Sequence, residues 1–241
     1  MIKWSIKVLT FTAERQFQMD KAMIKANLDR VFGAVCGTNT QLIAVTKTRT
    51  VDEINFAIAC GIKHIGENRV QELLDKYDHI EKNNVSIHLI GRLQTNKVKY
   101  IVDKVDLIHS VDSYKLACEI SKRAQNIGKI QDVLVEVNIG NEESKGGVNP
   151  NELLEFISAA AKLDGIRICG LMCIPPKIQE NGSNFKYFSN LKQLSVDIND
   201  KKIDNVSMNI LSMGMSDDFE DAIKAGSSFI RVGQGIFGAR N

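Results

Sequence analysis

The chain has 241 residues, 44% hydrophobic and 25% charged, which are the proportions of a globular protein that forms one large domain. Its 31 lysines and arginines nearly balance 29 aspartates and glutamates, and this balance argues against the concentrated basic surface that nucleic-acid binding requires. Five irregularly spaced cysteines and the lack of a long apolar run argue against a disulfide framework and a membrane span, so we expect a cytoplasmic protein.

The N-terminal segment does not share the pattern of the rest of the chain. Met1 to Phe11 is mildly apolar, but two lysines interrupt it and no signal-peptide cleavage site follows. We therefore predict that residues 1–19 are an N-terminal extension, disordered or loosely docked, and that the folded domain comprises residues 20–241.

Helical and strand patterns alternate through the remaining residues. Short apolar runs predict eight strands, at Leu42–Val45, His64–Ile65, Val85–Ile90, Val105–His109, Val133–Ile139, Ile166–Met172, Val206–Leu211 and Ser228–Val232. Amphipathic stretches predict helices at Asp20–Cys36, Asp52–Cys60 and Val70–Ile80, after Lys97, and at Ser113–Ile127, Pro150–Leu163, Phe185–Ile198 and Phe219–Ala225. Eight alternations favour a single α/β domain, a closed (β/α)8 TIM barrel, over an open doubly wound sheet.

Lys47 follows the first strand, and in a barrel it would lie on the rim where the carboxyl ends of the strands form active sites. A strand-end lysine alone is usually a solvated surface residue. The last strand, however, is followed by Gly233, Gly235 and Gly238, where barrels commonly bind phosphate through backbone N–H groups. The spacing of these glycines matches the dinucleotide-binding motif, but the further strand and acidic residue of that motif do not follow them.

The loop after the seventh strand adds Ser212, Gly214 and Ser216 to this region, although both loops are also compatible with ordinary turns. A lysine opposite a phosphate site suggests two chemistries. One is a Schiff base to a phosphorylated carbonyl substrate, as in an aldolase, and the other is a Schiff base to pyridoxal 5'-phosphate (PLP). In either case, desolvation or a neighbouring cation would lower the pKa of Lys47 and make its amine nucleophilic.

Histidines and cysteines are weaker candidates. His64, His88 and His109 fall in or beside predicted strands, and we interpret them as core or layer residues. Cys169 and Cys173 are four residues apart on one strand, about 13 Å along it, which is too far for a shared metal ion. We expect no metal site.

Seven blocks of the sequence carry a resemblance to a known family. They are Ala44–Thr48, Gly66–Glu72, Ile87–Lys97, Val137–Lys145, Gly170–Pro175, Ser212–Asp218 and Arg231–Arg240. They resemble, in family order, the signature blocks of the PLP homeostasis proteins, which are single-domain relatives of the N-terminal barrel of alanine racemase. The resemblance extends from about Met23 to the C-terminus.

This resemblance implies a cofactor site in which seven residues have distinct roles. Lys47 would form the Schiff base, Ser216 and the backbone N–H groups of Gly233 and Gln234 would hold the phosphate, Arg231 would face the pyridine nitrogen, and Asn68 and Met172 would line the ring. An arginine at that position keeps the pyridine unprotonated and weakens PLP as an electron sink, which suits a protein that holds the cofactor.

Three positions depart from the family pattern. Arg69 stands where tyrosine is common, Gln234 replaces a small hydroxyl residue, and Cys173 follows the motif methionine. Gln234 still offers its backbone N–H, so phosphate binding is still expected.

The implied function is PLP binding in intracellular PLP homeostasis without efficient catalysis, and the alternative is a PLP-dependent amino-acid racemase. A racemase needs a second base beside the lysine, and none of the four tyrosines follows a predicted strand directly; they are Tyr77, Tyr100, Tyr114 and Tyr187. The expected partners are PLP itself and PLP-dependent apo-enzymes. We expect a monomer that binds neither nucleic acid nor membranes.

Overall fold

The computed structural model describes residues 20–142, 145–177 and 183–239, so the predicted extension at residues 1–19 lies outside the described part. Eight parallel strands pair in sequence order, and the eighth pairs with the first. The strands are β1 Gln41–Val45, β2 His64–Glu67, β3 Ser86–Leu89, β4 Leu107–Val111, β5 Gln131–Val137, β6 Ile166–Cys173, β7 Val206–Ser212 and β8 Phe229–Val232. The closed sheet confirms the predicted (β/α)8 barrel and excludes an open doubly wound sheet.

Helices surround this sheet. They are α1 at residues 20–35, α2 Val51–Ala59, α3 Val70–Tyr77, a 3-10 helix Thr95–Tyr100, α4 Tyr114–Gln125, α5 Leu153–Ala160, α6 Phe185–Asn199, α7 Phe219–Lys224 and α8 Gln234–Phe237. Local chemistry fixes the start of α2, where Thr50 and Glu53 form a capping box. This cap sets the direction of the chain three residues after Lys47.

Two predicted elements differ from the structure around β4. The predicted strand Val105–His109 begins two residues too early, because the Val105 N–H donates to the Ile101 carbonyl oxygen at 3.1 Å and forms a turn there. The segment after β3 forms a 3-10 helix instead of an α-helix. The later end of β4 brings Asp112 and Tyr114 close to the carboxyl end of this strand.

The hydrophobic core has two parts, separated by the sheet. Between strands and helices lies a large cluster that includes Leu42 and Ala44, whereas Ile43, Met172 and Phe229 belong to a smaller cluster in the barrel interior. Successive side chains of a strand point to opposite faces, which explains why Ile43 and its neighbours divide between the two clusters. Burying each such aliphatic side chain stabilises the fold by about 1.5 to 3 kcal/mol.

One glycine controls how β6 and β7 approach each other. Gly170 has a φ of +155°, and a Cβ at this position would lie 1.8 Å from the carbonyl oxygen of Ile210. Only glycine permits this contact, which coincides with a shift in the pairing of the two strands. After the shift, Met172 pairs with Ser212 at the carboxyl ends of β6 and β7.

The described residues contain no helix that is both long and apolar enough to cross a membrane.

Candidate functional site

Lys47 lies two residues beyond the end of β1 and is half-buried. The intervening Thr46 is fully buried, and its N–H donates to the Gly66 carbonyl oxygen at 3.0 Å, which extends the contact with β2. Thr48 then adopts a left-handed conformation with a φ of 63°, which is uncommon for a branched side chain. The backbone on both sides of the lysine is therefore closely specified.

An ion-pair network centred on Lys76 holds the backbone around Lys47 in place. The Lys76 ammonium group donates to the Thr46 carbonyl oxygen at 2.9 Å, to Glu67 at 3.0 Å and to Glu72 at 2.7 Å. The Thr46 hydroxyl donates to Glu67 at 2.7 Å, and the Thr48 N–H donates to Glu72. Burial raises the pKa of Glu67, although its hydrogen bond with Thr46 and the charge of Lys76 oppose that rise.

The sequence interpretation missed this network. Glu72 and Lys76 are four residues apart in α3, a spacing that permits a helical ion pair and was the available signal. The contact of Lys76 with the end of β1 joins residues 30 positions apart, and no local pattern predicts it.

Asn68 follows β2 directly and has an unsatisfied acceptor. Its side-chain oxygen is buried and accepts no hydrogen bond from the described residues. The backbone of Gly91 packs so closely against the backbone of Asn68 that a Cβ on Gly91 would lie 2.3 Å from the Asn68 carbonyl oxygen. Because an unsatisfied buried acceptor costs about 1 to 3 kcal/mol, this atom is suited to accept a hydrogen bond from a ligand hydroxyl or from water.

Arg231 lies near the end of β8 and is buried inside the barrel. It pairs in register with Ile43 of β1, whose side chain belongs to the interior cluster. Its guanidinium group donates to the Ser212 hydroxyl at 2.6 Å and to the Cys173 carbonyl oxygen at 2.9 Å. Burial lowers the pKa of Arg231, but a guanidinium group remains a cation and a donor only. Met172 is fully buried in the same interior cluster.

Three histidines form a chain of hydrogen bonds that ends at the same serine. His64 Nδ1 lies 3.1 Å from His88 Nε2, His88 Nδ1 lies 2.9 Å from His109 Nε2, and His109 Nδ1 lies 2.9 Å from the hydroxyl of Ser212. The ring of Phe229 packs against all three imidazoles. The prediction that they are layer residues is confirmed, but their connection to Arg231 was not foreseen.

The three hydrogen-bonded histidines are neutral near pH 7. Burial lowers the pKa of His88 from 6.5 to about 3, and burial together with the charges of His88 and Arg231 holds the pKa of His109 well below 6.5. The pKa of His64 is also lowered, mainly by burial. A neutral imidazole has one donor and one acceptor nitrogen, so it can pass a hydrogen bond along a chain.

The predicted phosphate residues lie where β7 and β8 end. The Gly235 N–H donates to the Ser216 hydroxyl oxygen at 3.1 Å, which joins the two loops. Gly233 immediately precedes α8, and a Cβ there would lie 3.2 Å from Cβ of Val45 at the end of β1. Gln234 is the exposed first residue of α8. The loop that is predicted to bind phosphate and the strand that leads to Lys47 are therefore direct neighbours.

A further cation near this loop was not predicted. A guanidinium nitrogen of Arg30, from α1, lies 3.5 Å from the position that a Cβ on Gly235 would take, and the Ser216 hydroxyl oxygen lies at the same distance from it. Arg30 is more than 180 positions earlier in the chain, so no motif connects it with the loop.

Tyr114 lies closer to a strand end than the sequence predicted. None of the four tyrosines ends a strand, but β4 ends at Val111 and Tyr114, the first residue of α4, is the third residue after it. It lies in an open cavity of about 550 Å³ that Asp112, Gly147 and Val148 also line. The displaced end of β4 explains why the sequence did not reveal this position. Tyr77, Tyr100 and Tyr187 lie within helices.

Within residues 20–142, 145–177 and 183–239, no three histidine, cysteine or acidic residues are arranged to hold a metal ion. All five cysteines are free thiols, as expected without a disulfide framework; Cys169 and Cys173 are buried, Cys60 and Cys118 are half-buried, and Cys36 is exposed.

The fold and the rim define the class of the protein. The family model of the alanine racemase N-terminal domain matches residues 19–241. The alanine racemase of Clostridium difficile 630 has the same fold, with a TM-score of 0.74 at 16% identity over 91% of this chain and 57% of that chain. The chain thus has the barrel of the alanine racemase N-terminal class.

Proteins with higher sequence identity to this chain identify its family within this class. The pyridoxal phosphate homeostasis protein of Aquifex aeolicus (strain VF5) is 45% identical over 200 residues, which are 83% of this chain and 87% of that protein. The structure of PipY from Synechococcus elongatus PCC7942 with PLP bound has a TM-score of 0.81 at 31% identity, over 89% of this chain and 100% of that chain. The chain belongs to the pyridoxal phosphate homeostasis protein family.

Proposed function

We propose that this protein binds PLP through a Schiff base on Lys47 and takes part in intracellular PLP homeostasis without efficient catalysis. The observation that carries the proposal is the placement of two basic residues on paired strands, since half-buried Lys47 follows β1 and buried Arg231 lies on β8. The PLP bound to PipY, a relative with the same fold, supports the choice of cofactor.

The described residues fit the chemical groups of PLP. The unsatisfied oxygen of Asn68 would accept a hydrogen bond from the ring hydroxyl, and Met172 would contact the ring from the barrel interior. Ser216 and the N–H groups of Gly233 and Gln234 would hold the phosphate, and Arg30 adds positive charge beside them. Each group of the cofactor thus has a partner of suitable chemistry.

Arg231 supports a holding role over a catalytic one. Bound PLP supplies an aldehyde that condenses with amines and a ring that withdraws electrons most strongly when its nitrogen is protonated. A guanidinium group has no acceptor and cannot share a proton with the ring nitrogen. Arg231 would therefore keep that nitrogen unprotonated and weaken electron withdrawal, which suits storage or delivery of PLP.

The proposal extends to partners and location. A monomer that operates in the cytoplasm and passes PLP to apo-enzymes needs a cofactor linkage that reverses readily, as a Schiff base does. Mixing the loaded protein with an apo-aminotransferase should restore activity, and a filter that retains the loaded protein but admits free PLP distinguishes direct transfer from release.

Lys47→Ala tests the site. The variant should fold with an unchanged circular dichroism spectrum and contain no borohydride-trapped PLP, whereas peptide mapping of the wild type should place the label on Lys47. Lys63→Ala is the matched control, because Lys63 is an exposed lysine at the opposite end of the barrel, just before β2. Trapped PLP on another lysine in the wild type would refute the assignment.

The racemase alternative draws on the position of Tyr114 on the rim. Interconversion of D- and L-alanine at turnover numbers of about 1 to 1,000 per second, the ordinary range for enzymes, would favour catalysis. We expect no such turnover, and no difference between the wild type and Tyr114→Phe.

A further inference from the structure

The hydrogen-bond chain inside the barrel has a direction. Arginine only donates, so the Ser212 oxygen accepts from Arg231. Donation from the Ser212 hydroxyl to His109 Nδ1 is the favoured direction of the next hydrogen bond, because it turns the lone pair of Nδ1, and not an N–H group, towards the guanidinium charge. In this arrangement a neutral His109 carries its proton on Nε2 and donates to His88 Nδ1, and His88 donates from Nε2 to His64 Nδ1. All three rings then have the same tautomer.

This direction aligns the imidazole dipoles with the charge of Arg231. Each ring turns its lone-pair nitrogen, which is the negative end of its dipole, along the chain towards the guanidinium group. Among the described residues, no carboxylate forms an ion pair with Arg231; Glu136 and Asp218 influence its pKa only from a greater distance. Oriented neutral groups thus stabilise this buried cation, whereas most buried cations are paired with a carboxylate counter-ion.

The arrangement also leaves guanidinium donors available. Ser212 and the Cys173 carbonyl each accept one of the five N–H groups, from different terminal nitrogens. A carboxylate in their place would bind two N–H groups in parallel and compete with any ligand acceptor.

We propose that His109 and His88 are positioning residues that act through Ser212 to hold Arg231 as an uncompensated, donor-only partner for the ring nitrogen of PLP. The inference rests on the proposed function and deepens it, because it assigns the electronic state of the held cofactor to residues that do not touch it.

Two substitutions of His109 separate this role from simple packing. His109→Asn retains an acceptor near the place of Nδ1 and should bind PLP within about threefold of the wild type. His109→Leu removes the acceptor for Ser212 and should weaken PLP binding by about tenfold. With PLP labelled with ¹⁵N in the ring, His109→Leu should move the ring-nitrogen signal towards the protonated form, and His109→Asn should not.

A second variant and a measurement without cofactor keep the test decisive. If His109→Leu does not fold, Ser212→Ala breaks the same connection with little change in volume and should give the same shift of the ring-nitrogen signal. Histidine ¹⁵N spectra of the protein without PLP should show an unprotonated Nδ1 and a protonated Nε2 for His88 and His109.

The outcomes distinguish the two proposals. Failure of the wild type to bind PLP would overturn the proposed function. If the wild type binds PLP but His109→Leu, or Ser212→Ala in its place, matches its affinity and ring-nitrogen signal, the positioning role is overturned. Equal losses in His109→Asn and His109→Leu, in proportion to their thermal stability, would also overturn it.

Discussion

Lys76 and Arg231, two cations near the rim, are stabilised in opposite ways. On the lysine side, formed by Thr46, Glu67 and Lys76, the Lys76 ammonium group is neutralised by the carboxylates of Glu67 and Glu72 at contact distance. On the arginine side, formed by Ser212, Arg231 and the histidine chain, the guanidinium group donates to a hydroxyl and a carbonyl oxygen, and it forms no ion pair with any residue that the structure describes. The first arrangement fixes a backbone, and the second leaves donors available for a ligand.

The two cations also differ in how many of their donors are already used. The Lys76 ammonium group donates to three acceptors on the protein, so its charge holds the chain around Lys47 in place. Arg231 has more N–H groups than partners. Matched substitutions on the two sides should therefore affect stability and PLP binding to different degrees.

The largest effect on stability is expected for Lys76→Met. It leaves Glu67, which is fully buried, as an uncompensated charge, and losing one partner of a buried pair typically costs about 3 to 5 kcal/mol. Urea denaturation measures the change. Lys25→Met is the control, because the side chains of Lys25 and Asp29 are 61% and 63% exposed and such pairs contribute about 1 kcal/mol or less. Equal losses in the two variants would contradict the account.

A pH effect of similar size is expected from the histidine chain. The pKa values of His88 and His109 in the folded state lie below 6.5, so the unfolded chain takes up protons first and stability falls as the pH drops from 6.5 towards 3. Between pH 7 and pH 5 the loss should be about 2 kcal/mol for His88, and His109 contributes a further loss in the same direction. The raised pKa of Glu67 acts in the opposite direction, because its folded form binds a proton more tightly.

Comparison with variants isolates the histidine contribution. His109→Asn should lose less stability than the wild type between pH 7 and pH 5, because asparagine does not titrate. A wild-type curve with the same slope as that of His109→Asn would show that His109 is protonated in the folded protein.

A smaller loss of stability is expected for Arg231→Met. It leaves the Ser212 hydroxyl and the Cys173 carbonyl without a donor, which costs about 1 to 3 kcal/mol. Among the described residues, no carboxylate loses an ion-pair partner in this variant. PLP binding should nevertheless fall more than in Lys76→Met, as measured by equilibrium titration. A loss of stability equal to that of Lys76→Met would indicate that Arg231 is ion-paired in solution.

The smallest effect is expected for Ser216→Ala. The variant should fold normally and bind PLP about tenfold more weakly, as expected for one hydrogen bond to a charged group. Ser158→Ala removes a comparable hydroxyl from α5, outside the rim, and should bind PLP like the wild type. Unchanged affinity in Ser216→Ala would place the phosphate elsewhere.

The barrel could be predicted from the sequence because the patterns that specify its strands and helices are local. Apolar runs and helical stripes recur in each of the eight units, and their alternation leaves few ways to bury both faces of the sheet. The strand-end position of Lys47 and the glycines after β8 were equally visible. Their positions suggested a Schiff base opposite a phosphate site, and the family resemblance then selected PLP over a phosphorylated carbonyl substrate and implied the roles of Asn68, Met172 and Arg231.

The missed features depend on contacts between distant residues. His109 and Ser212 are 103 positions apart, and Lys76 reaches the end of β1 across 30 positions. Neither pair has a periodic signature, because a strand pattern shows that a side chain is buried but not which side chain it meets across the barrel. The shift of β4, which moved Tyr114 to the rim, likewise arises from a turn at Val105.

The visible absorption spectrum of the purified protein, titrated with PLP, is the first measurement to make on Lys47. We expect a band that saturates at one PLP per chain, disappears on borohydride reduction and is missing in Lys47→Ala. A wild-type protein that develops no such band, or a Lys47→Ala variant that develops the same one, would contradict the assignment of Lys47 as the residue that holds the cofactor.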